Sequence, residues 1–442
     1  MSLNGTLVKS TIVAALGGLL FGFDTAVISG TTGALTTHYN LTPGGLGLTV
    51  SIALWGTVIG AMFAGMPADR YGRRNTLRVL ALFYLISALG CAGAWSWTSL
   101  VIFRFIGGLA IGGSSVAGPM YIAEIAPARL RGRLVGIFQF NVVAGILLAY
   151  FSNYVVGSMG FGESEWRWKL GIAAAPAALF MTLLLAIPRS PRWLAKKGLQ
   201  AEALQVLNAI GEEKPEATLQ AMNESFRIEH EYGQEHLFAK KNMFPVFLAV
   251  SIAMFNQLSG INAILYYLND IFKQAGFDKV SSDLQAVAIG ATNLLFTMIA
   301  MSIIDRVGRK KLLAIGSVGT GLSLAGVALI FATGSHESYL LWLLVGFIAF
   351  FAFSQGSVIW VYISEVFPTA VRANGQSLGS STHWIMNAAI SWVFPIIAAR
   401  SKALPFAFFA AMMAVQLITV LAFYPETKGI TLEDMEKKLA TR

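Results

Sequence analysis

One carboxylate stands out in this sequence because the residues around it are apolar. Asp24 lies in the run GGLLFGFDTAVISG, from Gly17 to Gly30, which is otherwise apolar enough to cross a membrane. An ionisable side chain at such a depth is costly and is usually retained for a function. Arg104 is the only base placed deeply in the predicted spans, and both residues lie about 9 Å below the same membrane boundary. A carboxyl group that alternates between a paired and a separated state can take up and release a proton.

The composition of the chain is that of a helical membrane protein. Of its 442 residues 55% are hydrophobic and only 12% are charged, whereas soluble domains have about a quarter charged residues. The net charge of +9 comes from short basic clusters between apolar runs, which is not the pattern of a nucleic-acid-binding face. The single cysteine, Cys91, excludes an intrachain disulfide and a cysteine-based metal site. The first apolar run lacks the features of a cleaved signal and is predicted to be retained.

Apolar runs of about 20 residues are typical of membrane-spanning helices. Most of the 32 Lys and Arg residues fall in alternate loops and in the two tails, so both termini are predicted to be cytoplasmic, in the cell membrane. The sequence predicts an all-α membrane protein of twelve spans, at residues 8–29, 48–68, 77–96, 98–123, 134–156, 169–187, 243–269, 283–304, 312–332, 339–364, 377–399 and 404–424.

The two halves of the chain repeat one another. DRYGRR from Asp69 recurs as DRVGRK from Asp305, and EIAPARLR from Glu124 recurs as EVFPTAVR from Glu365. Two parallel six-helix halves with a site at their interface are a transporter design. The predicted regions are an N-terminal half at 1–187, short cytoplasmic linker helices at 188–242, a C-terminal half at 243–425 and a cytoplasmic tail at 426–442.

The repeated motifs place acids and bases together at the cytoplasmic ends of the spans. Positive-inside topology explains the bases but neither the acids nor the duplication. We therefore predict an ion-pair gate that latches the cytoplasmic ends and opens when the halves rock. Its predicted members are Asp69, Arg70, Arg73, Arg74, Glu124 and Arg131 in the first half, and Asp305, Arg306, Arg309, Glu365 and Arg372 in the second.

Several uncharged polar and aromatic side chains are predicted to line a cavity. Span 7 carries three amides and a tyrosine around Gly260, and all of them share a face only if the helix breaks there. Interhelical hydrogen bonding is the alternative explanation for such amides. Aromatic rings suit the C–H faces of a sugar, and amides satisfy its hydroxyls. The predicted lining residues are Gln139, Asn256, Gln257, Asn262, Tyr266, Trp360, His383, Trp384 and Asn387.

Nine motifs occur in a characteristic order along the chain: GGLLFGFDTAVISG, GMPADRYGRR, RFIGGLAIGG, PMYIAEIAPARLRG, PRSPRWL, FNQLSGINAILYY, DRVGRKK, GSVIWVYISEVFP and PETKG. In these motifs the chain resembles the sugar porter family of the major facilitator superfamily, which includes bacterial proton and sugar symporters and animal glucose facilitators. The resemblance implies the twelve-helix major facilitator fold, alternating access and a neutral sugar bound between the halves. It also implies that Asp24 couples the proton, because the family's passive facilitators typically carry Asn there.

The resemblance assigns sugar contacts residue by residue and reveals four departures. It adds Asn293 as a sugar contact and Phe21, beside Trp384, as an aromatic wall. Asn256 stands where the family usually has Gln, and His383 where it has an amide. His383 is predicted to be a neutral hydrogen-bonding group, with a second titratable role left open. Ser357 replaces a proline, which predicts a gentler bend in span 10, and Arg189 replaces a glutamate of the cytoplasmic latch.

Together these features predict proton-coupled symport of a neutral monosaccharide by alternating access, with a hexose such as glucose favoured over a pentose such as xylose. The predicted partners are the sugar and the lipid bilayer, without nucleic acid, and the predicted functional unit is a monomer. No cofactor is expected besides the proton as coupling ion. An enzyme is not expected, because the spans contain no nucleophile, metal cluster or paired carboxylates. A passive uniporter that keeps Asp24 for structural reasons is the alternative, and a non-transporting sugar sensor is a less favoured one.

Overall fold

A computed structural model of the protein describes residues 4–127, 129–231, 236–368, 371–430, 435 and 439. These residues form helices and contain no strand. Twelve helices are long and apolar enough to cross a membrane, which confirms the predicted fold class. Spans 1 to 12 are Gly5–Gly30, Pro43–Phe63, Arg73–Ala92, Trp97–Ile125, Arg131–Ser158, Gly162–Ala186, Lys240–Tyr266, Lys279–Val307, Arg309–Thr333, Glu337–Val366, Arg372–Arg400 and Leu404–Phe423.

Shorter helices connect the spans. Three of them, Pro191–Lys196, Gln200–Ala209 and Pro215–Glu231, lie between spans 6 and 7, where linker helices are predicted. Span 2 ends at Phe63 and not near residue 68, and the separate helix Gly65–Tyr71 follows it. The other short helices are Thr32–Tyr39 after span 1 and Leu268–Gln274 after span 7. We call the side on which span 1 begins the near side and the opposite side the far side.

Four of the spans are segmented. Span 1 ends in the 3-10 turn Ile28–Gly30. The other three are divided as follows: span 6 into Gly162–Ser164, Glu165–Gly171, Ala174–Leu183 and Leu184–Ala186, span 7 into Lys240–Asn242, Met243–Leu258 and Ile261–Tyr266, and span 10 into Glu337–Tyr339, Leu340–Phe353 and Gln355–Val366.

The chain divides into two compact units. Unit 1 comprises Met1–Thr25, Trp55–Ala149 and Arg167–Gly233, and unit 2 comprises Ala26–Leu54, Tyr150–Trp166 and Gln234–Arg442. The core of unit 1 is formed by apolar side chains of spans 1, 3, 4, 5 and 6. Span 4 packs closely there because Gly107 and Gly112 carry no side chain: a Cβ at Gly112 would lie 2.1 Å from the carbonyl oxygen of Thr57.

In unit 2, spans 7, 9, 10 and 12 form the main core cluster. Span 7 breaks at Gly260, whose φ of 80° lies in the left-handed region that favours glycine. A Cβ at Gly260 would also lie 2.3 Å from the ring of Phe409. The predicted break in span 7 is therefore confirmed. Span 10 is interrupted at Ser354, and the Ser357 hydroxyl donates across the break to the carbonyl oxygen of Ala352 at 2.8 Å. The helix is continuous through Ser357 itself, and the gentler bend expected there remains a prediction.

Candidate functional site

Asp24 and Arg104 line one small cavity in unit 1. Side chains of span 3, including Tyr84 and Cys91, and the span 6 residues Leu170 and Ala173 complete its wall. The guanidinium of Arg104 is close enough for its charge to act on the carboxyl group of Asp24, and Arg104 is only 4% exposed. The cavity volume is about 10 Å³, roughly the space of one water molecule. It can therefore hold a proton-transferring group but not a sugar.

In unit 2, amides of span 7 form a hydrogen-bonded chain that ends on span 11. Asn262 Nδ2 donates to Gln257 Oε1 at 3.0 Å, and Gln257 Nε2 donates to Asn256 Oδ1 at 3.0 Å. The same Gln257 nitrogen lies 3.3 Å from Nδ1 and 3.2 Å from Nε2 of His383. Gln257, Asn256 and His383 are all buried. The break at Gly260 lets Asn262 reach Gln257, so the chain depends on that glycine.

Aromatic rings of spans 10 and 11 pack around the imidazole of His383. The ring centroid of Trp360 lies 5.0 Å from that of His383, and the centroid of Trp384 lies 5.1 Å from it on the same helix as His383. Trp360 is 38% exposed whereas Trp384 is buried. Further along span 11, Asn387 Nδ2 donates to the Tyr266 hydroxyl at 3.3 Å. The structure thus brings together eight of the predicted sugar contacts: Asn256, Gln257, Asn262, Tyr266, Trp360, His383, Trp384 and Asn387.

Three other predicted sugar contacts belong to spans 1, 5 and 8. Phe21 and Gln139 belong to unit 1 and are partly exposed. Asn293 is a buried residue of span 8 in unit 2. Within the described part of the chain no hydrogen bond joins Asn293 to the amides of span 7. The sugar-contact role of these three residues remains a prediction.

A charge cluster closes the near-side end of unit 1. Arg73 bonds two acids at once, Asp69 at 2.9 Å and Glu124 at 2.8 Å. The Ser190 hydroxyl donates to the second oxygen of Glu124 at 2.5 Å. Trp193 Nε1 donates to the carbonyl oxygen of Asp69 at 2.9 Å. The linker after span 6 is therefore fastened directly to the first copy of the repeated motif.

The second copy has the corresponding set of partners in unit 2. Arg309 bonds Asp305 at 2.9 Å and bonds both oxygens of Glu365, at 2.8 and 3.1 Å. The Thr427 hydroxyl donates to Glu365 at 2.6 Å, as Ser190 does to Glu124. The carboxylate of Glu426 accepts from the backbone N–H groups of Arg309 and Lys310, at 2.8 and 3.1 Å.

Sequence reasoning missed Ser190, Thr427 and Glu426 as parts of these clusters. A signal was present, because Pro188-Arg-Ser before the linker matches Pro425-Glu-Thr before the tail. In each copy the second residue after the proline, Ser190 or Thr427, supplies the hydroxyl group. Only the second copy has an acid, Glu426, where the first has Arg189.

The remaining predicted gate residues make other contacts. Three of the arginines donate to main-chain carbonyl oxygens: Arg74 to Ile187, Arg131 to Ala123 and Arg372 to Phe367. Arg70 lies over the ring of Tyr71, and the carbonyl oxygen of Arg306 accepts from Lys428 at 2.5 Å. The clusters around Arg73 and Arg309 are therefore the strongest candidates for the gate.

The two acids that bond Arg309 should contribute unequally to stability. Glu365→Gln removes the charge from a bidentate contact to a nearly buried guanidinium, which should cost about 1.5 to 3 kcal/mol. Asp305, whose side chain is 83% exposed, should contribute less than about 1 kcal/mol. Thermal unfolding in detergent should therefore show a clear fall in Tm for Glu365→Gln and little change for Asp305→Asn. Equal shifts would contradict this ranking.

Several charged residues at the far side are buried, which the sequence analysis did not anticipate. Lys169 in span 6 is fully buried and Asp283 in span 8 is 2% exposed, so charged residues near the ends of spans are buried as well as Arg104. Glu165 bonds Lys279, and Asn269 donates to Asp283. Lys169 and Asp283 are the first residues of two predicted spans, and hydropathy does not indicate which neighbours bury them.

Asp270, just beyond span 7, should make stability depend on pH. Burial raises the pKa of its carboxyl group above the ordinary 3.8, although the Thr32 hydroxyl and Lys273 oppose this shift. The folded protein then binds this proton more tightly than the unfolded chain, so the contribution of Asp270 to stability falls as pH rises through and above that value. We therefore expect the Tm of Asp270→Asn to rise relative to the Tm of the parent protein as the pH increases from about 4 to about 7. A constant difference across this range would contradict the prediction.

Comparison with protein families gives a match over residues 10–439 to the family described as sugar (and other) transporter. The chain belongs to this family. The sugar transporter is 37% identical over 441 residues to the arabinose-proton symporter of Bacillus subtilis (strain 168), covering 98% of this chain and 95% of that protein. It is 34% identical over 466 residues to the D-xylose-proton symporter of Escherichia coli (strain K12), covering 96% and 94%.

Solved structures lead to the same family. The sugar transporter matches the inward open conformation of the xylose transporter XylE from E. coli with a TM-score of 0.87 and 32% identity, over 98% of this chain and 99% of that one. The resemblance to the sugar porters and the major facilitator fold is therefore confirmed. The sugar transporter is a multi-pass protein of the cell membrane, and its family is one of transporters and not of enzymes.

Proposed function

We propose that this sugar transporter couples the inward movement of a proton to the uptake of a neutral monosaccharide by alternating access. The observation that carries the proposal is the enclosure of Asp24 with Arg104 in a cavity too small for sugar. A carboxyl group in that position can change its protonation without contacting the substrate. Movement that separates the pair favours proton uptake, and protonation weakens the pair in turn, which couples the two events.

The amide and aromatic cluster of spans 7, 10 and 11 is the proposed sugar site. Its groups Gln257, Asn262 and Asn387 offer both donors and acceptors to hydroxyl groups, and Trp360 offers a partly exposed ring face. In the present structure the amides bond one another. A sugar that replaces these bonds must supply comparable ones, which favours a ligand with several hydroxyls in fixed positions.

The two symporters named above support a pentose as the substrate, whereas the sequence analysis favoured a hexose. One of them is named for arabinose and the other for D-xylose. We therefore propose a pentose first and a hexose second. The near side, which carries the two charge clusters, is proposed to face the cytoplasm. The proposed functional unit is a monomer that needs no cofactor besides the proton.

Uptake by purified protein in liposomes tests the proposal. D-xylose, L-arabinose and D-glucose are each supplied outside, with and without an inwardly directed proton gradient. We expect at least one pentose to accumulate above its external concentration only when the gradient is present. Equal uptake with and without the gradient would indicate a uniporter, and accumulation of no sugar would overturn the proposal.

A further inference from the structure

A pair of buried hydroxyl groups lies beside the cavity of Asp24 and has no part in the proposed function so far. Tyr84 lines that cavity together with Asp24. Its hydroxyl oxygen lies 2.8 Å from Ser114 Oγ on span 4. Tyr84 is 5% exposed and Ser114 is fully buried. The hydrogen bond between them is therefore enclosed within unit 1.

The pair lies between Asp24 and the near side. The Tyr84 hydroxyl is 3.5 Å from the carbonyl oxygen of Gly17, which precedes Asp24 by two helical turns, or about 10 Å along span 1. Span 4 runs from the far side to the near side, and Ser114 follows Arg104 by about 15 Å along it. A proton that leaves Asp24 for the near side within unit 1 meets Tyr84 and Ser114 first.

Further hydroxyls continue in the same direction. Ser10 and Thr11 of span 1 are fully buried, and the Ser10 hydroxyl interacts with that of Tyr121 on span 4. Ser10 shares a helix face with Gly17 and Asp24, at heptad intervals. Tyr121, one heptad beyond Ser114, donates to the carbonyl oxygen of Pro188 at the near-side end of span 6 at 2.8 Å.

We propose that Asp24 exchanges its proton with the near side through the Tyr84 and Ser114 hydroxyls. The inference rests on the proposed symport and names the route of its coupling ion. The Asp24 O–H bond breaks and its proton passes to the Tyr84 oxygen through a water molecule of the size that the cavity admits. Tyr84 passes its own hydroxyl proton to Ser114. Because Ser114 is fully buried, it passes its own proton to a water molecule that enters unit 1 from the near side. Each hydroxyl ends with one proton, and one proton has moved.

An ordinary structural role would leave a different signature. Interhelical hydrogen bonds also hold membrane helices together, and losing one for that reason would slow every mode of transport alike. A proton route is needed only when a proton is released during net transport. Exchange of labelled for unlabelled sugar across the membrane, or counterflow, does not need that release.

The test compares Tyr84→Phe with Ser115→Ala in liposomes. Tyr84→Phe keeps the ring and removes only the hydroxyl. Ser115 is the neighbour of Ser114, and both hydroxyls donate to carbonyl oxygens of their own helix, that of Ser114 to Ile111 and that of Ser115 to Gly112. Ser114 also meets the Tyr84 hydroxyl, a contact that Ser115 does not make among the described residues, so Ser115 serves as the matched control. We expect Tyr84→Phe to slow gradient-driven uptake about tenfold and to leave counterflow unchanged. A tenfold change is what the loss of one hydrogen bond from the transfer step should cause. Ser115→Ala should change neither assay.

Ser114→Ala provides a second measurement, and Asp24→Asn separates this proposal from the one on which it rests. Ser114→Ala should resemble Tyr84→Phe in both assays. Gradient-driven uptake at the parent rate in both hydroxyl variants, or an equal fall in uptake and counterflow, would overturn the proton route. If Asp24→Asn still accumulates sugar, the symport proposal itself fails. If Asp24→Asn loses accumulation and Tyr84→Phe does not, only the route fails.

Discussion

Replacing Asp24 by Asn should abolish the accumulation of sugar driven by a proton gradient while counterflow survives. Asn has nearly the shape of Asp but cannot carry a proton on and off at neutral pH, so the cavity with Arg104 keeps its form and loses its titratable group. The expected change is from accumulation to equilibration, measured with labelled sugar in liposomes with and without the gradient.

Glu163→Gln is the matched control for Asp24→Asn. Glu163 is an exposed acid of unit 2, and removing its charge should leave accumulation unchanged. Persistence of accumulation in Asp24→Asn would contradict the assignment of the coupling carboxylate. His383, the titratable group of the amide cluster, would then be the next candidate for the proton-coupling group.

Replacing Gln257 by Ala should have the largest effect on sugar binding. Its side chain holds the cluster together, because Asn262, Asn256 and His383 all lie within hydrogen-bonding distance of it. The truncation removes a hydrogen-bond partner from those groups and from the sugar hydroxyls. Sugar binding should therefore weaken by about 1 to 3 kcal/mol, or roughly 5- to 150-fold. Asn262→Ala should act in the same direction. Equilibrium binding of labelled sugar to the purified protein measures both effects.

Thr382→Ala is the control for this measurement. Thr382 precedes His383 on span 11, but its hydroxyl donates to the carbonyl oxygen of Leu378 in its own helix. Its loss should therefore leave sugar affinity unchanged. Parental affinity in both amide variants, for every sugar tested, would show that the sugar does not bind at this cluster.

The spans and the break in span 7 were predictable because each depends on a local feature. Twenty apolar residues in a row have few alternatives to a membrane helix. Glycine at position 260 is the residue type that permits the observed positive φ, and the polar residues on both sides of it required such a break in order to share a face. The meeting of Asp24 with Arg104 followed from their equal depth on spans of opposite direction.

Features that depend on which distant segments meet were not predictable. The burial of Lys169 and Asp283 depends on neighbours that hydropathy does not include. The interruption of span 10 at Ser354 shows that the loss of a proline at position 357 does not restore a continuous helix. The hydroxyl of Ser190 reaches Glu124 only because the linker folds back on unit 1, and a short polar residue after a proline does not indicate that by itself.

The attachment of the tail has a practical consequence for protein engineering. Tyr424 is buried, and its hydroxyl lies 2.8 Å from that of Ser251. The two residues beyond Pro425 cap the start of span 9 and bond Glu365. Shortening the chain to Tyr424 would therefore leave the start of span 9 uncapped and remove a partner of Glu365, although no membrane helix is cut. Truncations and C-terminal purification tags should accordingly leave Glu426 and Thr427 in place.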